Sequence, residues 1–319
     1  MIRKVGILTS GGDSPGMNAA IRSITRVALA SGIEVVGIYD GYKGLLKEKF
    51  KQFNHSDVSD ILSRGGTILG SARLKEFKDE NVQKEAAEIL KKNKIDALIV
   101  IGGDGSYRGA LALSKLGINC IGLPGTIDND IPGSELTIGF DTALNTAVSC
   151  IDKLRDTSSS HHRCSIVEVM GNRCGDIALY SGLSCGAEIV ITKETGYDEE
   201  EILDKLNYLS RLGKNHAIVI VSEKITDIEA LARKISDKTG FSGRATVLGH
   251  IQRGGSPTPN DRILASRMGE KAIDLLIEGY SKECVIIKNG EIDHMPIDVA
   301  LNETRKSRRN IFKLFDRLV

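Results

Sequence analysis

Short apolar runs recur along the chain, and most of them end in glycine or polar punctuation. They include VGILT (5–9), VVGIY (35–39), ALIVI (97–101), CIGL (120–123), SIVEV (165–169), AIVIV (217–221) and CVIIK (284–288). Longer segments with helical spacing lie between several of them. AAIRSITRVALA (19–30) is one; ENVQKEAAEILKKN (80–93) is another, with Val82, Ala86, Ile89 and Leu90 on one face. Near-continuous apolar strands alternating with helices predict an α/β fold, with mostly parallel sheet covered on both faces. Three strands end alike, in ILTSGGDS (7–14), VIGGDGS (100–106) and VEVMGNRCGD (167–176). Each passes through glycines and an aspartate towards a helix. The period is too irregular for a solenoid. It predicts two related βαβ halves with a break near 138–140, and ligands gathered at the carboxyl ends of strands. No Pro- or Ser-rich linker separates the halves, so two lobes packed around a cleft are expected.

Composition narrows the function classes. The 319 residues carry a formal net charge of +1, so nothing points to bulk electrostatic attraction to nucleic acid or anionic membrane. The start MIRKVGILTS lacks a long apolar segment with a small-residue cleavage site, and no stretch resembles a membrane span. Cys120, Cys150, Cys164, Cys174, Cys185 and Cys284 form no CxxC pair, which predicts reduced, packed thiols in a cytoplasmic protein. The basic run TRKSRRN (304–310) has no aromatic platform beside it and reads as a solvated helix start.

The chemistry sits in glycine-rich turns. SGGDSPGMN (10–18) joins a strand to a helix; Pro15 suits a first-turn position. Gly11, Gly12 and Gly16 let backbone N–H groups approach an anion, although a turn without a ligand reads the same way. In IGGDGSYRG (101–109), Gly103, Gly105 and Gly109 suggest a dinucleotide loop, but the acid expected after the following strand is missing. A GxxxxGK[ST] motif is absent too. What remains is a phosphate-approachable loop containing Asp104. A carboxylate beside polyphosphate needs a divalent cation between them, and Mg²⁺ held by carboxylate and phosphate oxygens meets that need.

GTIDNDI (125–131) holds Asp128 and Asp130 two apart, on the same side of an extended segment. One could face a reacting hydroxyl while the other supports a metal. An Asx-turn or helix cap fits as well, and DNDIPGSE is a poor match to a calcium loop. Arg73, Arg163, Arg244, His250 and Arg253 stand in glycine- and serine-rich turns, where several cations suit the grip of a phosphate monoester.

SGGDSPGMNAAIR, RGGTILGSAR, IGGDGSY, LPGTIDNDI, TIGFDTA, RDTSSSHHR, VEVMG and TVLGHIQRGGSP follow one another across nearly the whole chain. In this order they closely resemble the bacterial type of ATP-dependent 6-phosphofructokinases. The resemblance implies two Rossmann-like, three-layer αβα lobes with the active-site cleft between them. Residues 1–138 plus about 252–302 would form a larger ATP-binding lobe, and 139–251 plus about 303–319 a smaller fructose-6-phosphate lobe. It implies transfer of the γ-phosphoryl of MgATP to the 1-hydroxyl of fructose 6-phosphate (EC 2.7.1.11), the committed step of glycolysis.

Position by position, Gly12, Tyr42, Arg73, Leu74 and Gly103, Asp104, Gly105 and Ser106 match ATP contacts. Asp104 matches the Mg²⁺ carboxylate, and Asp130 supports the metal. Thr126, Ile127 and Asp128 match the sugar 1-hydroxyl site, with Asp128 the proton acceptor and Thr126, Arg73 and Gly12 assisting catalysis. Met170, Gly171, Asn172 and Glu223 match sugar contacts. Arg163, Arg244, His250, Ile251, Gln252 and Arg253 match the sugar-phosphate grip. In the family, the arginines at positions 163 and 244 come from a neighbouring subunit, which implies a homotetramer with shared sites.

Arg22, Arg26, Arg155, Gly186, Ala187, Glu188, Leu212, Lys214, Asn215 and His216 match the site for ADP or GDP activation and phosphoenolpyruvate inhibition. His55 and Ser56 replace an Arg-Tyr pair there and Leu212 a lysine, which implies a weaker or altered effector site. Asn172 replaces an arginine at the sugar site, and Lys78 stands where arginine is frequent near the nucleotide. Pyrophosphate-dependent relatives typically place aspartate at position 105 and lysine at 125, so Gly105 and Gly125 favour ATP. A pyrophosphate-dependent enzyme is the alternative reading. A non-catalytic subunit is opposed by Asp104, Asp128 and Asp130 together.

Overall fold

The computed structural model describes residues 2–305 and 307–319; Met1 and Lys306, the latter within the basic run 304–310, lie outside the described residues. In chain order the elements begin with β1 (Lys4–Ser10), α1 (Met17–Ala30), β2 (Glu34–Ile38), α2 (Gly41–Leu46) and β3 (Phe50–Phe53). Next come α3 (Glu80–Lys92), β4 (Ala97–Gly102), α4 (Asp104–Lys115), β5 (Asn119–Pro124) and α5 (Phe140–Ser160). Then follow β6 (Arg163–Val169), α6 (Asp176–Cys185), β7 (Ile189–Ile191), α7 (Glu199–Arg211), β8 (Ala217–Ser222), α8 (Ile228–Lys238) and β9 (Ser242–Val247). The chain closes with α9 (Pro259–Ile277), β10 (Glu283–Lys288), β11 (Glu291–Pro296), α10 (Ile297–Asn302) and α11 (Arg309–Leu318). Two compact units result, Met1–Thr142 with Arg253–Arg305, and Ala143–Gln252 with Lys306–Val319.

The first unit is built on a sheet ordered β11-β10-β5-β4-β1-β2-β3 among the described residues. Its strands are parallel except β3 against β2 and β11 against β10. Side chains alternate between the two faces of a strand, and here both faces are covered. Val5, Ile7, Ile99, Ile101, Ile121 and Leu123 point into one core with Ile21, Ile24, Met268 and Ile273 of α1 and α9. Leu8, Leu98, Val100 and Cys120 point into the other, with Leu90 of α3, Tyr107 and Leu113 of α4 and Ile297 of α10. On α3, Ala86 and Leu90 are buried, with Val82 and Ile89 packed beside them. The helices α1 and α9 approach closely: Ser23 Oγ donates to the Ser266 carbonyl at 2.6 Å.

The second unit has a wholly parallel sheet, β7-β8-β6-β9 among the described residues. Cys164, Ile166, Val219 and Val221 pack with Leu206 of α7 and Leu231 and Ile235 of α8. The basic run is not merely solvated. Arg308 turns back onto Asp176 at 3.1 Å, and that carboxylate is buried at the first position of α6. All six thiols are free. Burial pushes those of Cys120 and Cys284 up to about 12, so they pack as inert apolar groups.

Candidate active site

In the first unit the chain order reverses direction at β1: β2 lies on one side and β4 on the other. Loops at the carboxyl ends of such strands open onto a common crevice. Ser10, Gly102 and Pro124 end β1, β4 and β5 side by side in register. Three loops therefore emerge together: 11–16, 103–106 and 125–131.

The first loop enters α1 through Gly16, whose φ of 105° is open to glycine and strained for other residues. A Cβ there would also lie 2.7 Å from Ile138, so packing as well as backbone conformation demands glycine at this position. Pro15 does not take the first helical position; it lies in the turn before Gly16, because the helix begins at Met17. Gly11 and Gly12 line an open cavity of about 580 Å³ with Asp13, Gly65, Gly66, Thr67, Gly70, Ser71, Arg73 and Arg253. The guanidinium of Arg253 stands 3.1 Å from where a Cβ on Gly12 would be. Arg253 thus belongs to this polar pocket of the first unit, whereas Arg163, Arg244 and His250 belong to the second unit. Two arginines over glycine backbone make a pocket suited to phosphate.

In the second loop, Gly103 is the N-cap of α4 and Asp104 its first residue. The Asp104 carboxylate is exposed and meets Arg108 one turn later, at 3.1 Å. Sequence reading missed Arg108, whose signal was the i,i+4 spacing within DGSYR. Ser106 Oγ donates to the Ser10 carbonyl at 3.0 Å, tying this loop to β1. Tyr42 is buried, stacks on Phe77 at 4.1 Å between centroids, and donates its hydroxyl to the Ser106 carbonyl at 2.7 Å. Its side chain therefore positions the loop from below. Leu74 is half-buried, and Arg73 is exposed.

The third loop is not extended. Ile127 and Asp128 form a turn, and Asn129 adopts φ of 51°, so the same-side argument for Asp128 and Asp130 does not hold. The turn is instead set by hydrogen bonds and burial. The Asp128 N–H donates to Thr126 Oγ1 at 3.2 Å, and Thr137 Oγ1 donates to the Thr126 carbonyl at 2.6 Å. Ile127 and Ile131 are buried anchors, and buried Asn129 donates to the Glu135 carbonyl at 3.2 Å. A Cβ on Gly103 would lie 3.8 Å from Thr126 Cβ, which puts the second and third loops in contact.

In the second unit, another group gathers at the carboxyl ends of β6, β8 and β9. The Glu223 N–H donates to the Val169 carbonyl at 2.8 Å, and the Glu223 carboxylate accepts the Asn172 N–H at 2.8 Å. Buried Gln252 accepts the Met170 N–H at 3.3 Å. A Cβ on Gly171 would lie 2.3 Å from the Cys174 carbonyl, so no side chain fits there. Burial and the neighbouring Glu223 raise the Glu168 carboxyl above its ordinary range. His250 and Ile251 are exposed. Arg163 does not join this group, because it begins β6, about 23 Å from Met170 by strand rise. Arg244 lies opposite Ser165 on edge strand β9, also towards the far end.

The effector positions divide between the units. Arg22 and Arg26 lie four apart on α1, and Arg26 Nε is buried with no hydrogen-bond partner among the described residues. In the second unit, Lys214 pairs with the buried carboxylate of Glu188, which also accepts the Ile218 N–H at 2.5 Å. Arg155 meets the carbonyls of Cys185 and Gly186 and approaches His216 at 3.5 Å. Ala187 is buried, while Leu212 and Asn215 are exposed. Burial lowers the His216 pKa, opposed by Glu188 and reinforced by Arg155 and Lys214.

Adjacent strands that end in glycine–aspartate loops, beneath an arginine-lined pocket, define a phosphoryl-transfer enzyme of the α/β class. The chain matches the Phosphofructokinase family over residues 4–276 and belongs to it. It is 54% identical over 319 residues to the ATP-dependent 6-phosphofructokinase of Photobacterium profundum, covering 100% of both chains. It is 55% identical over 315 residues to that of Tolumonas auensis, covering 98% of each. Among solved structures it resembles phosphofructokinase from Saccharomyces cerevisiae, with TM-score 0.86 and 32% identity over 99% of this chain and 47% of that one. It likewise resembles the Pichia pastoris enzyme in the T-state, with TM-score 0.90 and 32% identity over 100% of this chain and 37% of that one. It thus spans less than half the length of these two chains. A pyrophosphate-dependent phosphofructokinase from Marinobacter aquaeolei shares the fold, with TM-score 0.86 and 22% identity over 97% of this chain and 86% of that one.

Proposed function

We infer that the chain catalyses transfer of the γ-phosphoryl of MgATP to the 1-hydroxyl of fructose 6-phosphate, giving fructose 1,6-bisphosphate and ADP. The observation that carries this is the Thr126–Asp128 turn held against the Gly103–Ser106 loop, beside a pocket lined by Gly12, Arg73 and Arg253. Phosphoryl transfer asks mainly for positioning and charge neutralisation, and these loops supply both. Asp128 accepts the proton of the 1-hydroxyl as its oxygen attacks the γ-phosphorus and the bond to the β-phosphate oxygen breaks. The Thr126 hydroxyl, bonded to the Asp128 N–H, fixes the turn that aims the carboxylate. Arg73 and the Gly12 amide take up charge on the transferring group.

Asp104 and Asp130 would hold Mg²⁺. No group of three or more His, Cys, Asp or Glu side chains able to cage a metal occurs among the described residues. An exposed carboxylate at the start of α4 suits a Mg²⁺ bound chiefly by phosphate oxygens and water. When bound, the ion neutralises charge between the nucleotide phosphates.

The first unit is the nucleotide lobe and the second the sugar-phosphate lobe, with Met170, Gly171, Asn172 and Glu223 facing the sugar. The position of Arg163 and Arg244, away from that group, supports a homotetramer in which both serve a neighbouring copy. The Arg155–Glu188–Lys214–His216 cluster of the second unit would take ADP, GDP or phosphoenolpyruvate, and Arg22 and Arg26 of the first are proposed as further effector contacts. No helix among the described residues is long and apolar enough to cross a membrane, and the proposed place of action is the cytoplasm. Replacing Asp128 by serine tests the mechanism. Turnover should fall by roughly 10²–10⁴ while sugar affinity changes little. Near-normal turnover in D128S would remove Asp128 from the base role.

A further inference from the structure

The cavity that holds Gly12 and Arg73 has two walls, and the second one has no helix or strand of its own. Residues 64–73 run over the first glycine loop as irregular backbone, with Arg73 at the end. A single buried side chain fastens the start of this segment. Asn18, in the first turn of α1 and 1% exposed, donates Nδ2 hydrogens to the carbonyls of Arg64 at 3.0 Å and Gly65 at 3.2 Å. Its Oδ1 accepts the Ile68 N–H at 2.7 Å. Both ends of the amide are therefore spent on one loop. Three further bonds continue the fastening. Thr9 Oγ1 meets Thr67 Oγ1 at 2.9 Å and donates to the Gly70 carbonyl at 2.7 Å. Ser71 Oγ donates to the Gly11 carbonyl at 2.6 Å, two residues before Arg73.

A buried amide in the first turn of a helix costs desolvation that an apolar side chain would avoid. Here, among the described residues, the bonds that offset that cost go to the segment that carries Arg73. Asn18 stands two residues after Gly16, the N-cap through which the first glycine loop enters α1, and the segment it fastens returns to that loop at the Gly11 carbonyl, beside Gly12. We propose that Asn18 is a positioning residue for phosphoryl transfer: it sets the separation between the Gly12 backbone and Arg73. It touches neither substrate nor metal, and it acts through Arg73. This rests on the proposed kinase function.

The test is a double-mutant cycle in the full-length chain, with ATP turnover and the KM for fructose 6-phosphate as readouts. N18A should lower kcat about 10- to 100-fold, because a displacement of about 1 Å in a reacting group has effects of that order. The sugar KM should stay within about twofold. In an R73A background the same substitution should change kcat little, since the group it positions is gone. A loss of equal size in both backgrounds would make Asn18 merely structural and overturn the proposal. So would N18A turnover equal to that of the unmodified chain. If N18A does not fold, N18D is measured instead. It keeps the shape and the acceptor for Ile68 but cannot donate to Arg64 and Gly65, and the same outcomes decide. An unmodified chain inactive with MgATP would count against the kinase reading itself, which separates the two failures.

Discussion

At the scale of single residues, the two glycines tied to donor choice are not equivalent. A Cβ on Gly105 would meet nothing within 4 Å, so that position is open space beside the phosphate loop. A Cβ on Gly125 would lie 2.8 Å from Ile101 and 3.0 Å from Met17, inside the core. G105D should therefore fold with an unchanged melting temperature yet lose about tenfold or more in ATP-dependent kcat/KM, because a carboxylate would face phosphate. G125A should cost about 1–3 kcal/mol by overpacking, read from urea denaturation. Sequence alone could not separate them, since both are small residues in turns and the difference lies in what surrounds each Cβ. Asp104 could be singled out because a carboxylate in a glycine-rich phosphate loop needs a chemical reason, whereas for Asp128 the residues left an Asx-turn open and only the resemblance implied a role. Asn129 was not legible: its buried, left-handed conformation is a property of the turn, which no spacing rule reveals.

At the scale of elements, a buried carboxylate braces the amino end of the long helix α5. Asp261, near the start of α9, accepts the Gly139 and Thr142 N–H groups, each at 2.8 Å, and the Thr142 hydroxyl at 2.5 Å. The carboxylate thereby satisfies donors at the amino end of α5 and complements its dipole. Burial nevertheless dominates and pushes the Asp261 carboxyl up to about 6, with Asp141 adding to the rise. A carboxyl raised in the folded state favours folding while protonated. Its contribution is complete below the unfolded value near 4 and is lost as pH rises through about 6. D261N should be less stable than the unmodified chain at pH 4 by more than at pH 7, the gap narrowing by up to about 2–3 kcal/mol. A pH-independent gap in denaturant titrations would contradict this. The elements that escaped the hydrophobic pattern have a physical cause too. The edge strands β3, β9 and β11, FKQF, SGRATV and EIDHMP, bury few side chains and so lack the apolar run that marks β4 and β5. The tiny β7, IVI, is apolar but too short to register as a period.

At the scale of the whole molecule, the proposed sharing of sites between copies makes a prediction that one chain cannot satisfy alone. D128S lacks the base but keeps Arg163 and Arg244; R163A keeps the base. Co-refolded mixtures of the two should recover activity that neither variant shows alone, and an inactive mixture of intact oligomers would contradict shared sites. The parallel α/β architecture was legible because strands buried on both faces write continuous apolar runs. The fastening of residues 64–73 was not, since it rests on hydrogen bonds from Thr9 and Asn18 that span 61 and 50 residues of sequence. The most direct test of the phosphoryl-transfer account is fructose 1,6-bisphosphate formation by the purified chain, measured in parallel with MgATP and with Mg-pyrophosphate. Product should form with MgATP and be at least about a hundredfold slower with pyrophosphate. No product from MgATP would contradict the central claim.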